Sequence, residues 1–362
     1  MGEHVRLTFR AMRAAGLRPA MADIYGLVPK DAQQAEEFDA FVRNDFGRVN
    51  VFHINGDEVE QSLAHTAGRQ QPGAYNVVYP AWELARYPRE WAVQLERFDE
   101  VWAPSRFIRD AIAAAVSRPV HHMPLAVEVM LTSFLGRRFF GIRESAYAFL
   151  FFFDLRSYAT RKNPEAVLEA FRRLCAARPG AEVALVIKVN GAAESPGPFE
   201  RLRAAAADLG DRVVLIGRTM PDNEVKNLVR CCDCFVSLHR SEGFGRGMAE
   251  AMYLGRPVVA TGYSGNMDFC DEETALLVRH TLVPVGEGQY PHATGQQWAD
   301  PDPGHAAQLM ARLVDDPAFG RALGQRASLR LRSGFGLRAA GSRFRRRVEE
   351  IEASIGQAGR AA

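Results

Sequence analysis

The sequence predicts an α/β protein made of two successive sets of parallel strands with helices between them. Three observations carry that reading. Apolar runs of strand length alternate with amphipathic helical stretches over most of the 362 residues. A charged, Gly-containing connection from Arg137 to Ser145 divides the alternation in two. The length is enough for two domains, each with its own core.

The elements follow in order. Val5 to Ala15 reads as a helix, with Val5, Phe9 and Met12 on one face. Val49 to Ile54 is a strand ending at Asn55-Gly56-Asp57, and Asn76 to Tyr79 is a second. Trp82-Glu83 leads to a helix through Trp91 and Leu95. Glu100 to Ala103 is a short strand, and Ser105 caps a helix from Arg106 to Ala115. His121 to Leu125 closes this half. The second set has strands at Phe149–Phe153, Val183–Val189, Val213–Ile216, Cys234–Leu238 and Val258–Ala260. Gly286 to Pro303 reads as a long polar loop before a helix from Ala306 to Val314. Arg338 to Ile355 reads as a last helix with an arginine cluster at 343, 345, 346 and 347.

Composition narrows the function classes. Lys plus Arg number 45 against 43 Asp plus Glu, so no global field calls for nucleic acid. No apolar run approaches a bilayer span, and the first residues carry no signal-peptide pattern. Five cysteines fit a reducing compartment, and the reading expects a cytoplasmic protein. Cys231-Cys232-Asp233-Cys234 has no second ligand pair at zinc-site spacing and reads as packing between a helix and a strand.

The most informative stretch is Ser241 to Met252. Glu242 and Glu250 stand eight positions apart around a turn holding Gly243, Gly245 and Gly247, with a short helix after it. Glycines let the backbone turn sharply and approach a ligand closely. The amides opening the helix favour an anion there. The apolar run Phe235 to Leu238 places the turn at a strand's carboxyl end, where open α/β sheets bind ligands. Carboxylates on either side of a phosphate site match a nucleotide sugar, with ribose, diphosphate and hexose in line.

These residues resemble the retaining glycosyltransferases of the GT-B type, family 4, whose signature is an acidic residue, a Gly-Phe-Gly turn and a second Glu. The resemblance continues through Arg256 to Phe269, through Phe153 to Ser157 with Arg161 to Pro164, and through Val101 to Phe107. It implies two Rossmann-like domains facing a cleft, over 1–134 and 135–335, with a crossing helix and tail over 336–362. The first domain would take the acceptor and the second the nucleotide sugar.

Residue roles follow from that resemblance. Lys162 and Arg156 would meet the diphosphate, since charge develops there as the leaving group departs. Glu242 would hold hydroxyls of the sugar and Glu250 those of the ribose. Backbone at Gly243, Phe244, Gly245, Arg246 and Gly247 would meet phosphate or sugar oxygens. By position at strand ends, Lys188, Asn190, Gly217, Gly265 and Asn266 are further donor candidates, Lys188 reading otherwise as a strand-end charge, and His239 reads either as a donor contact or as a structural histidine. Arg161 beside Lys162 reads either as part of the phosphate block or as solvated. On the acceptor side the candidates are Gly2, Glu3, His53, Asn55 and Glu83. No metal or cofactor is called for. Asp300-Pro301-Asp302 follows no apolar strand and reads as turn chemistry.

The sequence departs from the pattern at its start. Helical residues follow Gly2-Glu3 directly, and the reading expects a first strand and half a Gly-rich loop to lie about ten residues upstream, or a depleted acceptor domain. The function expected is transfer of a hexose, with mannose from GDP-mannose favoured, to a glycan or lipid-linked acceptor for surface polysaccharide. Peripheral membrane association through the arginine cluster goes with it. The alternatives are a donor-binding protein without transferase activity, a GT-B epimerase or a phosphorylase.

Overall fold

The computed structural model describes residues 2–22, 24 and 37–361, with side chains described as far as 357. The chain divides into two compact units, Met1–Ala126 with Gly334–Ala362, and Val127–Ser333.

The first unit holds strands β1 (Val49–Phe52), β2 (Tyr75–Val78), β3 (Glu100–Ala103) and β4 (Val120–His122), parallel and in that order across the sheet. Parallel strands need crossovers, which the helices Val59–His65, Arg89–Leu95 and Arg106–Ala113 supply. Ser105 caps the third of these, its Oγ accepting the Ile108 amide at 3.3 Å.

The helix Gly2–Ala14 starts three residues earlier than its apolar spacing suggests, so Gly2 and Glu3 are helical and do not form a loop. Glu3 pairs with Arg6 one turn on, at 2.7 Å. A cavity of about 600 Å³ lies between this helix and β1, lined by Val5, Phe9, Met12, Val49, Val51 and Val348.

The last helix, Leu337–Ala361, belongs to this unit and packs on Gly2–Ala14. Gly341 permits the crossing, because a Cβ there would stand 2.1 Å from the Ala11 carbonyl oxygen. Phe344 stacks on Trp102 with ring centroids 5.5 Å apart. Three arginines of the cluster have partners within the unit. Arg347 binds Glu100 and Glu350, Arg345 binds Glu349, and Arg343 donates to the Gly334 carbonyl.

The second unit has a parallel sheet of β5 (Tyr147–Asp154), β6 (Val183–Asn190), β7 (Val213–Ile216), β8 (Cys234–Ser237), β9 (Val258–Thr261) and β10 (Leu276–Val278). Their spatial order is β10-β9-β8-β5-β6-β7. The chain runs outward from β5 through β6 and β7, then returns to β8 on the other side. The order therefore reverses between β5 and β8, and a crevice for ligand opens at the carboxyl ends of such a pair. The core lies where helices cover this sheet, around Phe149, Phe151, Phe171, Ile187, Val236 and Met310.

One prediction is corrected. The stretch from Gly286 to Pro303, read as a long polar loop, contains a strand: β12 (Gln297–Pro301) pairs antiparallel with β11 (His280–Pro284), and residues 285–296 connect the two. Neither strand shows a period-2 pattern, since β11 reads His-Thr-Leu-Val-Pro and β12 Gln-Trp-Ala-Asp-Pro, which conceals them beside the glycines and polar residues of the connection. All five cysteines are buried free thiols, and Asp233 among them accepts from the Arg137 guanidinium at 2.6 Å and the Ala148 amide at 2.7 Å.

No helix among the described residues is long and apolar enough to cross a membrane.

Candidate functional site

The reversal between β5 and β8 brings two segments together. After β8, the chain passes His239 and Glu242 into the glycine turn and then the helix Arg246–Tyr253. Gly245 stands at φ 93°, which a side chain would strain, and a Cβ on Gly247 would be 2.8 Å from the Phe152 ring. Gly265 crosses so close that its Cβ would be 2.1 Å from the Gly243 carbonyl oxygen. The glycines are thus needed for close approach as well as for turning.

After β5, a short helix, Ala159–Lys162, ends at Asn163 with φ 57°, and Pro164 opens the helix Pro164–Ala177. This places Arg161 and Lys162 against Glu242. Lys162 Nζ bonds Glu242 Oε1, and Arg161 Nη1 lies 3.3 Å from Oε2. Arg161, only 3% exposed, also donates to the Ser241 carbonyl at 2.8 Å. The reading of these two as solvated residues is therefore excluded. Burial opposes ionisation of Glu242, yet the adjacent Lys162 and Arg161 charges outweigh it and hold its carboxyl at about 2.

Behind Glu242, Ser264 accepts the Glu242 amide at 2.8 Å from a backbone at φ 75°. His239 is fully buried. Its Nε2 lies 3.0 Å from Asn266 Oδ1 and 3.3 Å from the Tyr263 carbonyl, while Nδ1 meets Ser237 Oγ at 2.9 Å. Asn266 Nδ2 donates to the Thr261 carbonyl, which fixes its amide and assigns the proton of His239 to Nε2. Burial lowers the His239 pKa and keeps the ring neutral.

Glu250 sits one turn into the helix, where burial raises its pKa, and Arg246 turns back to it at 3.1 Å.

A second polar group lies at the ends of β5 and β6, where Asp154 and Asn190 are register partners. Lys188 is 1% exposed, and its Nζ bonds Asn190 Oδ1. Removal from water lowers its pKa to about 8, against the pull of Asp154. Arg156 belongs to this group, since its guanidinium grips both Asp154 oxygens, at 3.0 and 2.7 Å. Gly217 ends β7 beside Phe199, whose ring would be 2.7 Å from a Cβ there.

Within the first unit, His53 is half-buried against the rings of His4 and Tyr79, with centroids 4.5 and 5.3 Å away. Burial lowers its pKa to about 3. Asn55 accepts the Ala81 amide at 3.1 Å, and its own amide donates to Glu58 at 2.7 Å. Glu83 is half-buried after β2.

Sequence reasoning overlooked Ser264, Ser237 and Tyr290, and left Arg161 open. A hydroxyl that takes the Glu242 amide from 22 positions away leaves no local pattern to read. Asp300 pairs with Arg240 at 2.7 Å, and Asp302 caps the helix Pro303–Asp315 by accepting the Gly304 and His305 amides.

Residues 143–282 match the family model described as Glycosyl transferases group 1. Among curated proteins, the lipopolysaccharide core biosynthesis mannosyltransferase LpsB of Rhizobium meliloti is 38% identical over 79 residues, which are 21% of this chain and 22% of that protein. The trehalose synthase of Pyrococcus horikoshii is 27% identical over 174 residues, 47% of this chain and 36% of that one. The matched segments thus span well under two thirds of these relatives. Among solved structures, Anabaena HepE, in complex with UDP and glucose, superposes with a TM-score of 0.69 at 14% identity, covering 97% of this chain and 96% of that one. Sucrose-phosphate synthase from Thermosynechococcus elongatus gives 0.69 at 17% identity, over 97% and 93%. The chain has the GT-B fold, two Rossmann-like parallel-sheet units, and its second unit carries the stretch that matches the group 1 glycosyl transferases.

Proposed function

We propose that this chain is a retaining glycosyltransferase that moves a hexose from a nucleoside diphosphate sugar to a glycan or lipid-linked acceptor. The observation that carries this is the Lys162–Glu242–Arg161 cluster beside a glycine turn at the reversal point of the sheet. A diphosphate arriving there meets Lys162 and the amides that open the helix Arg246–Tyr253, and both favour negative charge. Glu242 then has carboxylate oxygens for sugar hydroxyls. Glu250, deeper along the helix, takes the ribose. The second polar group, with Lys188 and Asn190, borders the rest of the nucleotide.

Retention belongs to this reading through the resemblance carried by Ser241 to Met252. The leaving phosphate accepts the acceptor's proton on the face from which it departs. Mannose from GDP-mannose is the favoured donor, in line with the mannosyltransferase among the matched relatives. Side chains and amides meet the diphosphate charge, so turnover is expected to survive chelation by EDTA.

The test is a thermal-shift series with GDP, UDP, dTDP and ADP sugars. The reading expects stabilisation by one of them and by its nucleoside diphosphate, with GDP-mannose first. No shift with any of them, at millimolar concentrations, overturns it.

A further inference from the structure

The β11–β12 hairpin lies against both halves of the Glu242 cluster. From β12, the Ala299 amide donates to the Arg240 carbonyl at 2.9 Å, and Asp300 takes the Arg240 guanidinium at 2.7 Å. The Arg240 amide in turn donates to the Arg161 carbonyl at 2.8 Å. At the tip, Tyr290 is 8% exposed and packs edge-on against Tyr158, with ring centroids 4.8 Å apart. The Arg161 guanidinium carbon lies 5.8 Å from the centre of the Tyr290 ring.

The tip is itself ordered by hydrogen bonds. The Val285 amide donates to the Gln296 carbonyl, the Gln296 amide to Ala293, and the Gly286 amide to Gln289 Oε1. Tyr158 stands at φ 59°, a backbone state that a bulky residue keeps only when its surroundings hold it there. The Tyr290 ring is one of the contacts around it.

We propose that Tyr290 is a positioning residue, whose ring covers Arg161 and through it fixes Glu242 and Lys162 for sugar transfer; this role rests on the transferase reading of the site. The physical reason is dielectric. With the ring in place, the Arg161 charge acts on Glu242 through protein and not through water. Without it, water reaches the guanidinium and the Coulombic hold weakens. The Glu242 carboxyl then moves up toward its ordinary value.

The experiment compares the full chain with Tyr290→Ala and Tyr290→Phe. Glu242 is followed by carboxyl ¹³C NMR titration, assigned with Glu242→Gln, and donor turnover is followed against pH. In the wild type, Glu242 stays ionised down to about pH 3, whereas in Tyr290→Ala it titrates about one unit higher. The acid limb of kcat moves with it, and kcat falls about tenfold while KM for the donor stays within about threefold. Tyr290→Phe behaves as wild type, because the ring does the covering.

An unchanged titration and pH limb in Tyr290→Ala, with only a lower melting temperature, would reduce Tyr290 to packing and overturn the proposal. If the alanine variant does not fold, Tyr290→Leu is read in the same way. If the wild type turns over no nucleotide sugar, the transferase reading fails, and the proposal that Tyr290 positions the site for transfer fails with it. The Glu242 titration then still decides separately whether the ring controls the carboxylate.

Discussion

Lys162 and Glu242 stand 80 positions apart in the chain and meet as a hydrogen-bonded ion pair. The pairing of β5 with β8, with Phe149 opposite Cys234 and Leu150 opposite Phe235, brings their following segments side by side. Each is the other's partner. A diphosphate must therefore share Lys162 with Glu242, and a sugar hydroxyl must share Glu242 with Lys162. Replacement of either should also be felt by the other.

Lys162→Ala removes the cation from the leaving group and leaves Glu242 to Arg161 alone. Donor turnover is expected to drop by about 10²-fold or more. The folded chain should persist, since Arg161 still compensates the carboxylate. Steady-state turnover with the cognate donor checks this, and an unchanged kcat removes Lys162 from the site.

Glu250→Ala should act differently, because Glu250 lies one turn inside the helix with Arg246 upon it. Affinity for the free nucleoside diphosphate is expected to fall about tenfold or more through the lost ribose hydrogen bonds, with a smaller effect on kcat. Calorimetric titration with the nucleoside diphosphate measures it. Equal affinity in variant and wild type would make the ribose assignment wrong.

The glycine turn is legible in the sequence because its parts are local: an apolar strand, Glu242, three glycines and a short helix carrying Glu250 one turn in. The pairing of Glu242 with Lys162 and Arg161 was only half legible. Each block could be read, but the bond between them depends on which strands become neighbours. The hairpin at 280–301 is not legible because neither strand carries a period-2 pattern, and Tyr290 is hidden with it. In the first unit, His53 was read as a strand-end polar residue. Its packing against His4 and Tyr79 depends on a helix far upstream in the chain, Gly2–Ala14. The strand expected before that helix concerns residues upstream of the described ones. What the structure shows is β1 at the sheet's edge, beside a cavity.

Glu100 is a test of stability in the first unit. It is fully buried, and it accepts from Trp102 Nε1 at 2.6 Å, from the Tyr75 hydroxyl at 2.9 Å and from Arg347. Burial alone would raise its pKa, but Arg347, Trp102 and Tyr75 together lower it. The sign follows from linkage. The carboxylate stabilises fully above its unfolded value of 4.5, and that contribution is lost as pH falls through the lower folded value. Glu100→Gln takes the buried anion from Arg347 and leaves it only the exposed Glu350, at an expected cost of about 3 kcal/mol. Urea unfolding at neutral pH measures the loss.

His53 should report acid stress at higher pH. Burial takes its pKa from 6.5 to about 3, so the folded state holds it neutral. Between those values the unfolded chain binds a proton that the folded chain does not. Stability therefore falls as pH drops below 6.5, by up to about 1.4 kcal/mol per unit. An NMR titration, with the ring signal assigned through His53→Gln, should show no protonation down to about pH 5.

The most direct measurement of the central claim is the product formed from a nucleotide sugar of defined anomeric configuration by wild type and by Glu242→Ala. Proton NMR of the reaction, with an acceptor or with water, reads both the rate and the anomer. The account predicts nucleoside diphosphate release by the wild type, a first-formed product that keeps the donor's configuration, and a rate about 10²-fold or more lower in Glu242→Ala. An inverted product, or equal rates in the two proteins, would contradict it.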